Sequence, residues 1–324
     1  MSKDQELLTK IKLSNNILNE SSSFTNSDIE SKLLMPYTHI SQVSGKQGHE
    51  KIVMALNYWL QIADDKMKNI IELLKMLHVA SLLVDDIQDN TNMRQGVPAA
   101  HRVYGVPMTI NASYHIQFLA INKAYEVDHR IPEIMSKEIL KAYRGQGMDI
   151  YWRDNFICPT EDQYKEMVLL KTGSFFVGAY RLMQLFSENK TDYSKLVNII
   201  GCYFQIRDDY LNLVHPEELE EWPRKEDAQD SLKGSNFCDD ITEGKFSFPV
   251  IHALQKPQEI LRQRTRDVSL KKYFVSLLNT LGSLQYTRNV MEEMDREARA
   301  EVSKLGGNPY MEAVLDYLCN WKID

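Results

Sequence analysis

The sequence predicts an all-α protein, a bundle of long helices around a cavity with a polar mouth. Three observations carry that expectation. Glycine (14) and proline (10) together make about 7% of the 324 residues, against roughly 12% in average proteins, so turn-formers are scarce and an all-β sandwich or barrel is disfavoured. The chain is 43% hydrophobic, enough for a sizeable core. Two apolar stripes at helical spacing each run into a pair of neighbouring aspartates.

Residues 1–30 are polar, with Ser21-Ser22-Ser23 and several asparagines, and read as a weakly ordered N-terminal arm. From about Lys32 helical patterning dominates without a composition break, so residues 31–324 are expected to form one domain. In the first informative helix Ile70, Leu73, Leu74, Leu77, Ser81 and Val84 recur at steps of three and four, which is one buried face. The stripe continues into Asp85 and Asp89. Carboxylates on a core-facing stripe are costly unless paired or bound to a metal. In Asp85-Asp86-Ile87-Gln88-Asp89 the i,i+4 spacing stacks Asp85 and Asp89 on one side, a pattern suited to hard divalent cations, which take carboxylate oxygens and keep waters for a phosphate-bearing substrate. A second stripe, Val197, Ile200, Gly201 and Phe204, leads to Asp208 and Asn212 within Asp208-Asp209-Tyr210-Leu211-Asn212. One such cluster alone reads most simply as a solvated helix end. Two on inward stripes reverse that judgement. The segment 215–235, rich in charge and carrying Pro216 and Pro223, reads as a loop, and Gly306-Gly307-Asn308-Pro309 as a turn before a last helix.

The formal charge of −7 argues against nucleic-acid binding, whose footprint is basic. Cys158, Cys202, Cys238 and Cys319 lie far apart with no CxxC pair, which fits neither a zinc framework nor a disulfide scaffold and suggests a reducing cytosol. The start MSKDQELLTK lacks the apolar run of a signal peptide. No transmembrane segment is expected, because no stretch approaches ~20 apolar residues. A cytoplasmic protein is the resulting expectation.

The segment LHVASLLVDDIQDNTNMRQGVPAAHRVYGVP resembles the first aspartate-rich region of trans-prenyl diphosphate synthases. GQGMDIYWRDN, EMVLLKTGSFF, YFQIRDDYLNL, FCDDITEGKFSFPVIHA, ILRQRT and GSLQYTRN resemble the eukaryotic geranylgeranyl diphosphate synthases in particular, in the expected order over roughly residues 33–320. The resemblance implies an isoprenoid-synthase-type fold of antiparallel helices around a central cavity, a homodimer or higher assembly, and a prenyl diphosphate substrate. It also implies three Mg²⁺ ions, with Mn²⁺ as an alternative. By resemblance Asp85, Asp89 and Asp208 are metal ligands supported by Asp86 and Asp209. Arg94, Lys171 and Lys245 match diphosphate-binding cations, and Thr172 and Gln205 match residues beside the reacting carbons. Phe204 or Phe118 are candidates to face a carbocation, although core packing is the plainer role for Phe204.

The chain departs from the family on one side only. A GKxxR motif, a histidine before the first cluster and the second arginine of an RRG serve isopentenyl diphosphate in chain-elongating synthases. Here Lys46 and His78 are present, but His49 stands at the arginine of GKxxR and Gln95 at the second arginine of RRG. Ser235 aligns with a further family lysine, and Lys233 lies two residues upstream. A charge-assisted hydrogen bond is worth ~1.5–3 kcal/mol. Losing two costs ~3–6 kcal/mol, on the order of 10²–10⁴ in affinity, and an unperturbed imidazole at His49 is mostly neutral at pH 7. Three readings follow. The favoured one is a terpene synthase that ionises a prenyl diphosphate and lets the cation cyclise or lose a proton. The alternatives are a chain-elongating geranylgeranyl diphosphate synthase, and a non-catalytic modulatory subunit, which intact acid clusters argue against. Ser81 and Ala80, small residues four and five before Asp85, suggest room for a C20 chain, with C15 second. Close helix packing is their other explanation.

Overall fold

The computed structural model describes residues 26–42, 48–214, 238–255 and 264–322. The first 25 residues of the expected arm and the whole 215–235 loop, Lys233 and Ser235 included, lie outside them, as does Lys46. Among the described residues fifteen α-helices are joined by one two-stranded hairpin, so the all-α expectation holds, and the arrangement is that of the isoprenoid synthases. The elements are α1 (Asn26–Leu33), α2 (Met35–Ser41), α3 (Gly48–Leu60), α4 (Asp64–Gln88), β1 (Met93–Arg94), β2 (Val97–Pro98), α5 (Ala100–Tyr104), α6 (Val106–Val127), α7 (Ile131–Asn155), α8 (Glu161–Val168), α9 (Ser174–Leu185), α10 (Ser194–Val214), α11 (Asp239–Glu243), α12 (Phe248–Leu254), α13 (Val268–Thr280), α14 (Ser283–Lys304) and α15 (Pro309–Leu318). His49 sits at the start of α3, with its side chain outside the described residues.

Helices α4 and α10 carry the predicted stripes. Ile70 and Leu73 on α4, and Val197 and Ile200 on α10, are fully buried; each such side chain contributes about 1.5–3 kcal/mol by leaving water. α4 packs along α6, and α10 along α14. Asp64 and Asp65 occupy the first turn of α4, where carboxylates complement the helix dipole. Its other end is a Schellman motif. Asn90 is left-handed (φ 55°), Asn90 N–H donates to Ile87 O at 3.2 Å, and Thr91 N–H donates to Asp86 O at 2.9 Å, which satisfies the last carbonyls. The helix therefore stops at Gln88 and Asp89 is its C-cap.

The following hairpin pairs Met93 with Pro98 and Arg94 with Val97. Gln95 (φ 49°) and Gly96 (φ 81°) form its two-residue loop, and positive φ at both central positions is the requirement of a type I′ turn. The chain then crosses to α5 and α6.

Between α8 and α9 the helix widens into a single π turn, Leu169–Gly173. Such turns are rare and often mark functional sites. Gly145 of α7 makes this one possible, since a Cβ there would lie 2.4 Å from the Lys171 backbone nitrogen. α8 begins with a capping box: the Thr160 hydroxyl accepts from Gln163 N–H at 3.2 Å and Thr160 N–H donates to Gln163 Oε1 at 2.9 Å. At the far end, the Asn308 carbonyl oxygen caps α15 and its amide donates to Ala55 O at 2.8 Å, fastening α15 to α3.

Candidate active site

The ends of α4, α7, α10 and α11 and the π turn surround a cavity of about 420 Å³. Its mouth is lined by the carboxylates of Asp85, Asp208, Asp239, Asp240 and Glu243, with Arg94, Lys171 and Lys245 among them. Its interior is lined by Leu77, Leu82, Val84, Ile139, Phe175 and Phe204. This is the polar-mouthed apolar cavity expected from the two stripes. Ser81 lines it, whereas Ala80 is fully buried, with its carbonyl accepting from Ser113 of α6 at 2.7 Å. Close packing is thus the role of Ala80.

The first cluster is divided by the end of α4. Asp85 faces the cavity, where Gln146 Nε2 donates to it at 2.9 Å and Lys171 Nζ stands 3.9 Å away. Burial works against its charge, but Lys171, Lys245 and Arg94 hold its carboxyl below the usual range. Asp86 is turned away from bulk water, 1% exposed, and is bound by the Arg94 guanidinium; Nε donates at 2.8 Å and Nη2 also pairs with the same oxygen. Its other oxygen, Oδ2, has no hydrogen-bond partner. Asp89, the C-cap, keeps a right-handed helical backbone, and its N–H donates to Asp85 O at 2.9 Å. Its carboxylate is buried between Arg153 Nη1 (2.6 Å) and Lys245 Nζ (2.7 Å) in an ion-pair network.

The second cluster is built from neutral donors. Asp208 lines the cavity. Asp209 behind it is buried and accepts from Tyr164 OH (2.5 Å), Phe248 N–H (2.8 Å) and Gln205 Nε2 (3.0 Å). Burial raises its carboxyl to about 6 despite these bonds. Thr172 donates to Gln205 Oε1 at 2.7 Å, so the π turn, Gln205 and Asp209 form one chain. Lys171, the neighbour of Thr172, reaches Asp149 at 2.8 Å.

His78 and Gln95 both line the cavity, His78 edge-on to Phe175 at 6.0 Å between centroids. Phe204 lines it as well. Phe118 does not: at 64% exposure it lies on the outer face of α6, which corrects its candidacy as a cation-facing ring. Its helical position is one turn along from exposed Tyr114, not from the buried face.

Several site residues were not singled out from the sequence. Gln146, Asp149 and Arg153 recur at steps of three and four on α7, a readable face with no repeated-acid signature to flag it. Asp239, Asp240 and Glu243 lie in FCDDITEGK. Tyr164, four residues after the Thr160 cap, is visible only in three dimensions.

Among the described residues no three His, Cys, Asp or Glu side chains converge closely enough to hold a metal ion as they stand. The donor set nonetheless suits a hard divalent cation. It is all oxygen, and six lining carboxylates, Asp209 included, face Arg94, Lys171 and Lys245. Burial raises Glu243 to about 7 against the pull of Lys245, and burial together with the neighbouring Asp209 and Glu243 pushes Asp240 well up. These groups bear their charge reluctantly without a further cation.

The polyprenyl synthetase family model matches residues 30–278, and the chain belongs to that family. It is 50% identical to a terpene synthase of Matsumurasca onukii, over 91% of this chain and 95% of that protein. It is 39% identical to a geranylgeranyl pyrophosphate synthase of Mucor circinelloides f. lusitanicus, over 89% and 93%, and 38% identical to one of Dictyostelium discoideum, over 90% and 94%. No described helix is long and apolar enough to cross a membrane.

Proposed function

We propose that the protein is a terpene synthase, ionising a C20 prenyl diphosphate, with C15 as the second choice, and releasing a cyclised or deprotonated product. The observation that carries this reading is Gln95. It lines the cavity beside Arg94, so the mouth keeps the arginine of the allylic side and has a neutral amide where chain-elongating relatives have the second arginine. His49 at the arginine of GKxxR points the same way, as does the 50% identity to a protein named terpene synthase.

The geometry supports the following roles. Asp85 and Asp208, with Asp86, Asp89 and Asp209 behind them, would hold Mg²⁺, which would neutralise the leaving diphosphate. Arg94, Lys171 and Lys245 bind the diphosphate oxygens, exchanging their present carboxylate partners for it. Gln205 and Thr172 fix the wall of the π turn beside the departing carbon. The apolar interior excludes water from the cation, and Phe204 offers it an aromatic face.

The test is incubation with Mg²⁺ and geranylgeranyl or farnesyl diphosphate, with and without isopentenyl diphosphate, followed by gas chromatography and mass spectrometry. A hydrocarbon or terpene alcohol from the allylic diphosphate alone is expected. Lengthened diphosphates formed only with isopentenyl diphosphate, and no volatile product without it, sink the reading in favour of the elongating synthase, which His78 at the cavity wall supports. In the same assay His49→Arg with Gln95→Arg should tighten isopentenyl diphosphate binding at least tenfold.

A homodimer is part of the proposal. Tyr114, Phe118 and Tyr125 form an exposed stripe on α6, flanked by Leu140 and Tyr151 of α7, an apolar surface that calls for a partner. Phe118→Glu should shift the sedimentation coefficient from dimer to monomer. An unchanged value removes this face from the assembly.

A further inference from the structure

The cavity has a polar pair that ionisation does not use. Tyr143 of α7 and Gln117 of α6 both line it, in the part of the wall that also carries Leu82, Ile139 and Ala142. On α7, Tyr143 stands one turn before Gln146, which touches Asp85. The pair therefore lies inward of the acids, against the hydrocarbon part of a prenyl chain. Tyr143 keeps 41% of its surface exposed at this end of the cavity, and Gln117 is half-buried.

Three hydrogen bonds satisfy them, in a fixed sense. Tyr143 OH donates to Gln117 Oε1 at 3.0 Å, Gln117 Nε2 donates to Ser113 Oγ at 3.3 Å, and Ser113 OH donates to Ala80 O at 2.7 Å. A carbonyl only accepts, so Ala80 commits the Ser113 hydrogen. Ser113 then needs a donor, which turns the amide nitrogen of Gln117 toward it and the amide oxygen toward Tyr143. The phenolic hydrogen is committed in turn. What remains at the end of the chain is the lone-pair side of the Tyr143 oxygen. Burial, opposed by the bond to Gln117, raises the phenol above its ordinary range, so it stays neutral.

We propose that Tyr143, oriented by Gln117, accepts the proton that ends the reaction. This rests on the terpene-synthase reading. A C–H bond next to the cationic carbon breaks and its electron pair becomes the new C=C bond. The proton joins the Tyr143 oxygen as the phenolic hydrogen shifts to Gln117 Oε1, and the amide returns a proton to water as product leaves. Deprotonation is thereby confined to carbons within reach of one oxygen, which makes the pair a determinant of product identity.

The experiment compares wild type with Tyr143→Phe and Gln117→Leu, using geranylgeranyl and farnesyl diphosphate with Mg²⁺. Product ratios are read per diphosphate released. Partial misfolding lowers diphosphate and product together and leaves the ratio unmoved. Both substitutions are expected to change the ratio of the main olefin to its isomers and alcohols at least fivefold, in the same direction. Unchanged ratios in both variants overturn the assignment, and so does a shift produced by His78→Gln and not by Tyr143→Phe. A wild-type protein that forms only lengthened diphosphates overturns the terpene-synthase reading itself, and the two failures are told apart by whether wild type makes any olefin.

Discussion

The acid cluster on α4 is held by cations, and the one on α10 by neutral donors. Asp86 and Asp89 are paired with Arg94, Arg153 and Lys245. Asp209 is held by a phenol, an amide and a backbone N–H. The two clusters differ accordingly in charge balance. On the α4 side fixed cations already offset the carboxylates, and Asp85 ionises readily. On the α10 side, burial keeps Asp209 and its neighbours Asp240 and Glu243 raised. The difference places the deficit of positive charge on one wall of the mouth. On the proposed function, a chain of net charge −7 would serve an anionic substrate because cations bound with it would complete the site.

The largest expected effect comes from Asp85 and Asp208, the leading acids of the two clusters at the cavity. Asp85→Asn and Asp208→Asn should each lower turnover by on the order of 10²–10³, the loss typical of removing one electrostatic stabiliser of developing charge. Diphosphate release under saturating Mg²⁺ measures it. A small effect at Asp208 with a large one at Asp85 would break the comparison, leaving the α4 wall to act alone.

The next effect separates how the buried acids are held. Arg153→Met leaves Asp89 with one cation fewer in a dry setting, and breaking a buried pair from one side costs about 3–5 kcal/mol. Tyr164→Phe removes a bond to Asp209 worth about 1.5–3 kcal/mol. Urea denaturation of the two variants should therefore rank Arg153→Met as the less stable. The reverse order would mean that the neutral donors carry more of the fold than the ion pairs do.

Much of this arrangement was legible in the sequence. The stripes on α4 and α10 are long and periodic, fully buried at Ile70, Leu73, Val197 and Ile200, and they lead to Asp85, Asp208 and Phe204 at the cavity. The period of 3.6 reached Asp89 at the helix end, one turn beyond Asp85, but carried no sign of its buried pairing with Arg153 and Lys245. Asn90 in the left-handed conformation closes a Schellman motif there, and an asparagine after an apolar run was the available signal. Phe118 was misjudged because an aromatic residue carries no mark of which helix face it occupies when both faces bear aromatics. The Arg153, Tyr164 and Gln117 contacts join residues 64, 45 and 26 positions from their partners, and no local pattern encodes such pairings.

The smallest effect tests whether the α10 wall depends on a helix start some distance from the acids. Tyr164 lies one turn into α8, its N–H bonded to Thr160 O at 2.9 Å, and Thr160 closes the capping box. Thr160→Ala should cost about 1 kcal/mol, within the ~0.5–2 kcal/mol range for a lost N-cap. For a chain this long the melting temperature should fall by no more than about 2–4 °C, the shift such a loss gives in a domain of 150–250 residues. Because the first turn of α8 sets the Tyr164 hydroxyl, and that hydroxyl holds Asp209, the variant should also raise the Mg²⁺ concentration needed for half-maximal rate. Arg153 and Lys245 do not pass through α8, so the α4 wall should be untouched. A fall in melting temperature with an unchanged Mg²⁺ requirement would show that Gln205 and the Phe248 N–H hold Asp209 in place without Tyr164, and that the neutral wall is redundant where the cationic wall is not.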